Sequence, residues 1–231
     1  TIIMFLLIFP TIIVIPMSFS ESQYLEFPPK EWSLRWYNAY WETPRWINAT
    51  VTSLKVAFFT MLLATPFGTM AAYGLYVSGS RLGKFVFFLL MTPMIIPVIL
   101  IAIGTFYVFG KVGIVNSIPG LVLAHTVLAI PIVMIIMTSA LRTYDLNQEL
   151  VARSLGASRV RAFFQITLPQ IKFSVIISAL FAFLTSFDEV IISIFLSGGG
   201  NSTLTKQMFN ALRDYIDPTI AAISTLMIIL S

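Results

Sequence analysis

The sequence predicts an all-α membrane protein with about six transmembrane helices, in a single domain over residues 1–231, on three observations. Hydrophobic residues make up 58% of the chain and charged residues 10%, with a mean hydropathy of +0.91; soluble domains carry about a quarter charged residues. Apolar runs long enough to cross roughly 30 Å of hydrocarbon at about 1.5 Å per residue recur along the whole length. The charges, which sum to +4, lie mostly in the links between those runs, a pattern of membrane topology and not of a nucleic-acid-binding face. With no cysteine and a single histidine, His125, there is no disulfide and no conventional zinc or haem ligand set, so no metal site is expected.

In order, the apolar segments cover about 1–19, 50–77, 86–109, 119–141, 173–196 and 217 onward, each ended by charges, Gly or Pro. The first lacks a charged leader and a small-residue cleavage site, so it reads as a span and not as a signal peptide, and the chain is expected to be trimmed at both ends. The link 20–49 is polar and aromatic. Its Trp32, Trp36, Trp41 and Trp46, with Tyr37 and Tyr40, suit either the headgroup boundary or a surface that receives a partner. A short basic turn follows the second segment at 78–85. Pro93, Pro97, Pro119 and Pro131 fall in or beside the third and fourth segments, where neighbouring helices can satisfy the backbone groups that a proline frees.

Orientation follows from Lys and Arg. Arg81, Lys84, Arg142, Arg153, Arg159, Arg161 and Lys172 crowd two loops, whereas Lys30, Arg35, Arg45, Lys111, Lys206 and Arg213 are spread over three longer ones, so the first side is expected to be cytoplasmic. The loop 142–172, on that side, reads as two short helices joined by a turn. Asp145 with Gln148 resembles a capping box, and Leu146 and Leu150 share a face. Gly156 supplies a positive φ at the first helix end, Ser158 caps the second helix, and Val160, Phe163, Phe164 and Ile166 make that helix amphipathic up to Pro169, which ends it. Such an element suits docking on a partner.

The spacing of Ala152, Gly156, Leu168 and Pro169 resembles the EAA coupling loop of permease subunits in binding-protein-dependent ABC importers. The chain departs from that pattern at Leu150 and Val151, where the family has Glu and Ala. Glu149 is offered as a replacement carboxylate, although one residue of helix turns a side chain by about 100°. Further along, Phe187-Asp188-Glu189-Val190, Ser193, Ser197, Thr203-Leu204, Gln207-Met208, Arg213 and Ile216-Asp217-Pro218-Thr219 resemble the spermidine/putrescine branch, as do 33–37 and 48–53, so the likeness covers nearly the whole chain.

The resemblance implies a type I ABC importer permease fold in a bacterial inner membrane, with this chain forming half of the pathway for a small solute, a polyamine such as spermidine or putrescine. It implies as partners a second permease, usually a different chain in this branch, two ATP-binding subunits and an extracytoplasmic substrate-binding protein, besides membrane lipid. No cofactor is expected in this chain, ATP and Mg being used by the ATPase. The coupling residues are expected to be Glu149, Leu150, Ala152, Gly156, Ala157, Phe163, Leu168 and Pro169. An amino acid derivative, opine or phosphonate is the alternative cargo. A stand-alone secondary transporter is the rival class, but internal repeats are not evident; an intramembrane hydrolase would need a nucleophile motif that the chain lacks.

Asp188 and Glu189 are the only acids inside a predicted span, and a carboxylate at mid-membrane costs a few kcal/mol unless it faces a cavity or partner. They are the candidate substrate-pathway residues, with a structural or interface role as the alternative. Lys55 reads as a snorkelling cation and His125 as a hydrogen-bonded bundle residue. Gly79 to Lys84 is one residue short of a phosphate loop and reads as a basic turn. Gly198 to Gly200 reads as a flexible link, and Asn48-Ala-Thr50 is a sequon without consequence in a bacterium.

Overall fold

The computed structural model describes residues 2–214 and 216–230, and among them every named element is a helix. In order these are α1 (Ile2–Met17), α2 (Arg35–Glu42), α3 (Pro44–Ser78), α4 (Arg81–Ile95), α5 (Val98–Val112), α6 (Ile118–Thr143), α7 (Asn147–Ser154), α8 (Arg159–Ala162), a π-helical turn (Phe163–Thr167), α9 (Leu168–Phe187), α10 (Ile191–Leu196), a 3-10 turn (Gly199–Asn201), α11 (Leu204–Asp214) and α12 (Thr219–Leu230). Among the described residues, three runs are long and apolar enough to cross a membrane by themselves: α3, α6, and the continuous stretch from α8 through α9. The remaining apolar segments form α1, α12 and the pair α4 and α5.

Two predicted spans are broken. The third is split into α4 and α5, which meet at 102°. The cause is local: Ile96 precedes Pro97, is driven out of the helical region to φ −77°, ψ 133°, and ends α4. The fifth stops at Phe187 and resumes at Ile191, so Asp188 and Glu189 lie in a break between helices and not within one. Prolines inside helices behave otherwise: Pro66, Pro93 and Pro131 are all accommodated without ending α3, α4 or α6.

The chain forms two compact units. The larger, Leu54–Leu196, packs around α6. One cluster joins Ala64 and Ala72 of α3 with Ala129, Val133, Met137 and Leu141 of α6 and Ile171 and Ala182 of α9; a second joins Ala102 of α5 with Leu121 and Val122 of α6 and Ile192 and Leu196 of α10. In a bilayer, close backbone approach between small residues supplies the packing that a hydrophobic drive supplies in water. Gly68 lies one turn from both Ala64 and Ala72, and a β-carbon on it would sit 2.6 Å from Val133 Cγ1. Glycine is what lets α3 and α6 close here.

The other unit combines residues 1–53 with 197–231. In it α12 packs on α1 and α2, and hydroxyls join the pieces: Ser18 Oγ meets Tyr37 OH at 2.8 Å, Tyr40 OH meets Thr50 Oγ1 at 2.9 Å, and the Leu204 amide donates to Ser53 Oγ at 2.8 Å. The tryptophans divide. Trp32 and Trp41 are exposed, as a boundary or receiving surface requires, but Trp46 is 1% exposed and belongs to the core, with the Arg45 guanidinium over its ring.

Candidate coupling site

The loop between α6 and α9 is built from backbone chemistry outward. Asp145 Oδ1 accepts from the Asn147 amide at 3.0 Å, an Asx turn that starts α7. The expected capping box with Gln148 does not form, because the Gln148 side chain instead accepts from Gln170 Nε2. At its other end α7 closes in a Schellman motif: the Gly156 amide bonds the Arg153 carbonyl and the Ala157 amide bonds the Ala152 carbonyl, at 3.0 and 3.1 Å. That geometry needs the φ of +95° that Gly156 adopts. Ser158 Oγ then accepts from the Arg161 amide and caps α8.

Pro169 does not end the second helix. It stands in the first turn of α9, and the chain reaches it through the π-helical turn, in which the Leu168 amide bonds the Phe163 carbonyl five residues back. A proline in mid-helix cannot donate to the carbonyl four residues earlier and crowds it, and widening the turn relieves both problems. One long helical run therefore joins α8 to α9, a stretch long and apolar enough to cross a membrane.

Glu149 faces inward. It is 1% exposed, Oε1 accepts from Tyr73 OH at 2.6 Å and Oε2 from Thr167 Oγ1 at 2.9 Å. Thr167 has one proton and donates it to Glu149, so at the 3.0 Å contact with Tyr144 OH it is the acceptor. Burial raises the Tyr144 phenol above its usual range, which keeps it a donor. Tyr76 OH in turn donates to the Tyr144 carbonyl at 3.2 Å. One carboxylate thus ties α7 to α3, to the end of α6 and to the π turn ahead of α9. Sequence reading named Glu149 but missed Tyr73, Tyr144 and Thr167. The available signal was the pair Tyr73 and Tyr76 near the end of an otherwise apolar segment.

The outer face is apolar. Leu150, Val151, Leu155, Val160 and Phe164 are exposed, Leu155 at 85%, and Arg153, Arg159 and Arg161 are exposed among them. Of the other named residues, Ala152, Ala157, Phe163 and Leu168 are half-buried and Pro169 is exposed. The Phe163 ring lies tilted, its centroid 4.6 Å from that of Tyr73, and with Leu168 it lines a cleft of about 390 Å3 against α3.

Away from the loop, Asp188 is exposed, while Glu189 Oε1 accepts from the Ile192 amide at 2.9 Å and caps the start of α10. His125 is buried, with Nδ1 at 2.8 Å from Ser186 Oγ, which reaches Thr60 Oγ1 at 3.3 Å; this polar chain ties α6, α9 and α3 together. Lys55 is exposed. Residues 79–84 form a left-handed turn at Gly79 and a Ser80-capped helix start, and no metal-binding group of side chains occurs among the described residues.

A family model described as "Binding-protein-dependent transport system inner membrane component" matches residues 64–231. The chain is 32% identical over 222 residues to the spermidine/putrescine transport system permease protein PotC of Haemophilus influenzae, covering 96% of this chain and 86% of the relative. It is 30% identical over 226 residues to the putrescine transport system permease protein PotI of Escherichia coli, with 95% and 80% covered. The molybdenum transport system permease protein ModB of Mycobacterium bovis is 27% identical over 205 residues, with 82% and 77% covered. Among solved structures, a bacterial ABC transporter involved in the import of alginate superposes with a TM-score of 0.74 at 13% identity, over 98% of this chain and 87% of that one.

Proposed function

Because the chain belongs to the family of binding-protein-dependent transport system inner membrane components, we propose that the solute it moves is a polyamine such as spermidine or putrescine. The chain is a permease subunit of an ABC importer in the inner membrane and not an enzyme. The observation behind the choice of cargo is that relatives named for spermidine and putrescine transport exceed the molybdenum permease in both identity and coverage. An exposed Asp188 at the end of α9 offers an ammonium group a carboxylate. Glu189, committed to capping α10, offers less.

The partners follow in the same reading: a second permease of different sequence, two ATP-binding subunits that use ATP and Mg, and an extracytoplasmic substrate-binding protein. The exposed apolar and basic face of α7 and α8 meets the ATPase, and the inward Glu149 carries the movement of α7 into α3 and α9. Leu150 replaces the family's polar contact with an apolar one, for which its exposure suits it.

The test is uptake of labelled putrescine and spermidine by vesicles that hold the assembled complex, with competition by unlabelled solutes. Polyamines should compete, and an opine, a phosphonate or an amino acid derivative should not. Competition by one of those without competition by polyamines overturns the cargo. Uptake that proceeds without ATP overturns the importer reading in favour of a secondary transporter.

A further inference from the structure

A second cleft, of about 380 Å3, opens between the end of α3, the start of α4 and the end of α6. Its lining combines the apolar Ala72, Leu75, Phe87 and Phe88 with the cations Lys84 and Arg142. Both cations are exposed and neither is in a salt bridge among the described residues. The cleft sits where two helices that are long and apolar enough to cross a membrane end, at Ser78 and Thr143, which is where headgroups are met. It lies on the same end of the unit as the coupling loop, which begins directly after α6.

We propose that this cleft binds one anionic phospholipid, with its phosphate between Lys84 and Arg142 and an acyl chain against Phe87, Phe88 and Leu75. The charge pattern selects the ligand. Two unpaired cations favour an anion, and a negatively charged headgroup offers more than a zwitterionic one. The apolar residues that line the same cleft as the cations suit the tail attached to that headgroup, which a free phosphate lacks. Basic pockets between transmembrane helices on the cytoplasmic side are suited to acidic headgroups, and each basic residue near an anionic surface is worth about a fivefold gain in binding. The first turn of α4, whose end of the helix dipole is positive, lines the same mouth. Lipid held here braces α4 against α6 at the start of the loop that docks the ATPase, so the composition of that leaflet bears on assembly.

Native mass spectrometry of the assembled complex, titrated with phosphatidylglycerol or with phosphatidylethanolamine of the same acyl chains, reads the proposal directly and without reference to which solute is transported. Phosphatidylglycerol should be retained in preference. The double variant Lys84→Gln with Arg142→Gln should weaken its retention about 30-fold, each single variant about fivefold. Lys111→Gln, outside the cleft, should leave it unchanged. Equal retention of the two lipids overturns the proposal, as does a double variant that binds phosphatidylglycerol like the wild type. Loss of the ATP-binding subunit from the double variant with lipid retention unchanged also overturns it, and assigns the two cations to a protein contact.

Discussion

Replacing Glu149 by alanine should uncouple ATP hydrolysis from transport while leaving the docking surface in place. The carboxylate is fully buried and accepts one hydroxyl on each oxygen, from Tyr73 and Thr167. Truncation leaves both donors buried without acceptors, at about 1–3 kcal/mol each, and opens a void beside them. The sum, on the order of 4 kcal/mol, exceeds what a two-turn helix such as α7 recovers from other inward contacts, since Leu150 and Val151 point outward. Glu149→Gln is the control. Its oxygen still accepts from Tyr73, and its amide can donate to Thr167 if Thr167 turns its proton to Tyr144, so the cost falls to about 1 kcal/mol, one hydrogen bond lost. The assay is the ratio of solute taken up to ATP hydrolysed in vesicles containing the complex. The alanine variant should assemble and hydrolyse ATP with a ratio reduced at least tenfold, Gln should stay within about twofold of wild type, and Tyr73→Phe should fall between them. A wild-type ratio in Glu149→Ala refutes the reasoning. So does an alanine variant that simply loses the ATPase while Tyr73→Phe and Thr167→Val are silent, because that pattern belongs to an outward contact.

Gly156→Leu should insert normally and lose ATPase co-purification: the site has open space around a β-carbon, so its strain is confined to the backbone φ of +95° and amounts to about 1–2 kcal/mol; Gly156→Asn should be milder. Gly68→Leu should lower thermal stability by about 1–3 kcal/mol, because its side chain enters the space of Val133, and Val133→Ala should restore part of the loss. The two acids should separate, with Asp188→Asn cutting polyamine uptake several-fold at normal assembly. Glu189→Gln should cost about 1 kcal/mol of stability through a weakened α10 cap, with uptake preserved. Normal uptake by Asp188→Asn would remove it from the pathway.

The sequence by itself determined the membrane class, the helical architecture and the helix-turn-helix between α6 and α9, because each rests on composition or on short-range chemistry. A glycine after a polar helical stretch and a serine two residues later specify the turn at Gly156 and the cap at Ser158 wherever the chain sits, and both are seen. Proline was legible only in part. Pro97 ends a helix through its own steric demand on Ile96, whereas Pro169 was read as a stop and instead stands inside a long run, since a π-helical turn absorbed the missing bond. What the tertiary structure alone decided was direction. Along α7, Glu149 and Leu150 are neighbours, and nothing local says which faces the bundle; the hydroxyls of Tyr73 and Thr167, 76 and 18 residues away, make the inward site the one where a carboxylate can be buried. Asp188 and Glu189, which hydropathy placed within one span, both lie in a break between α9 and α10, and α10 packs against α5 and α6, a contact between residues far apart in the chain.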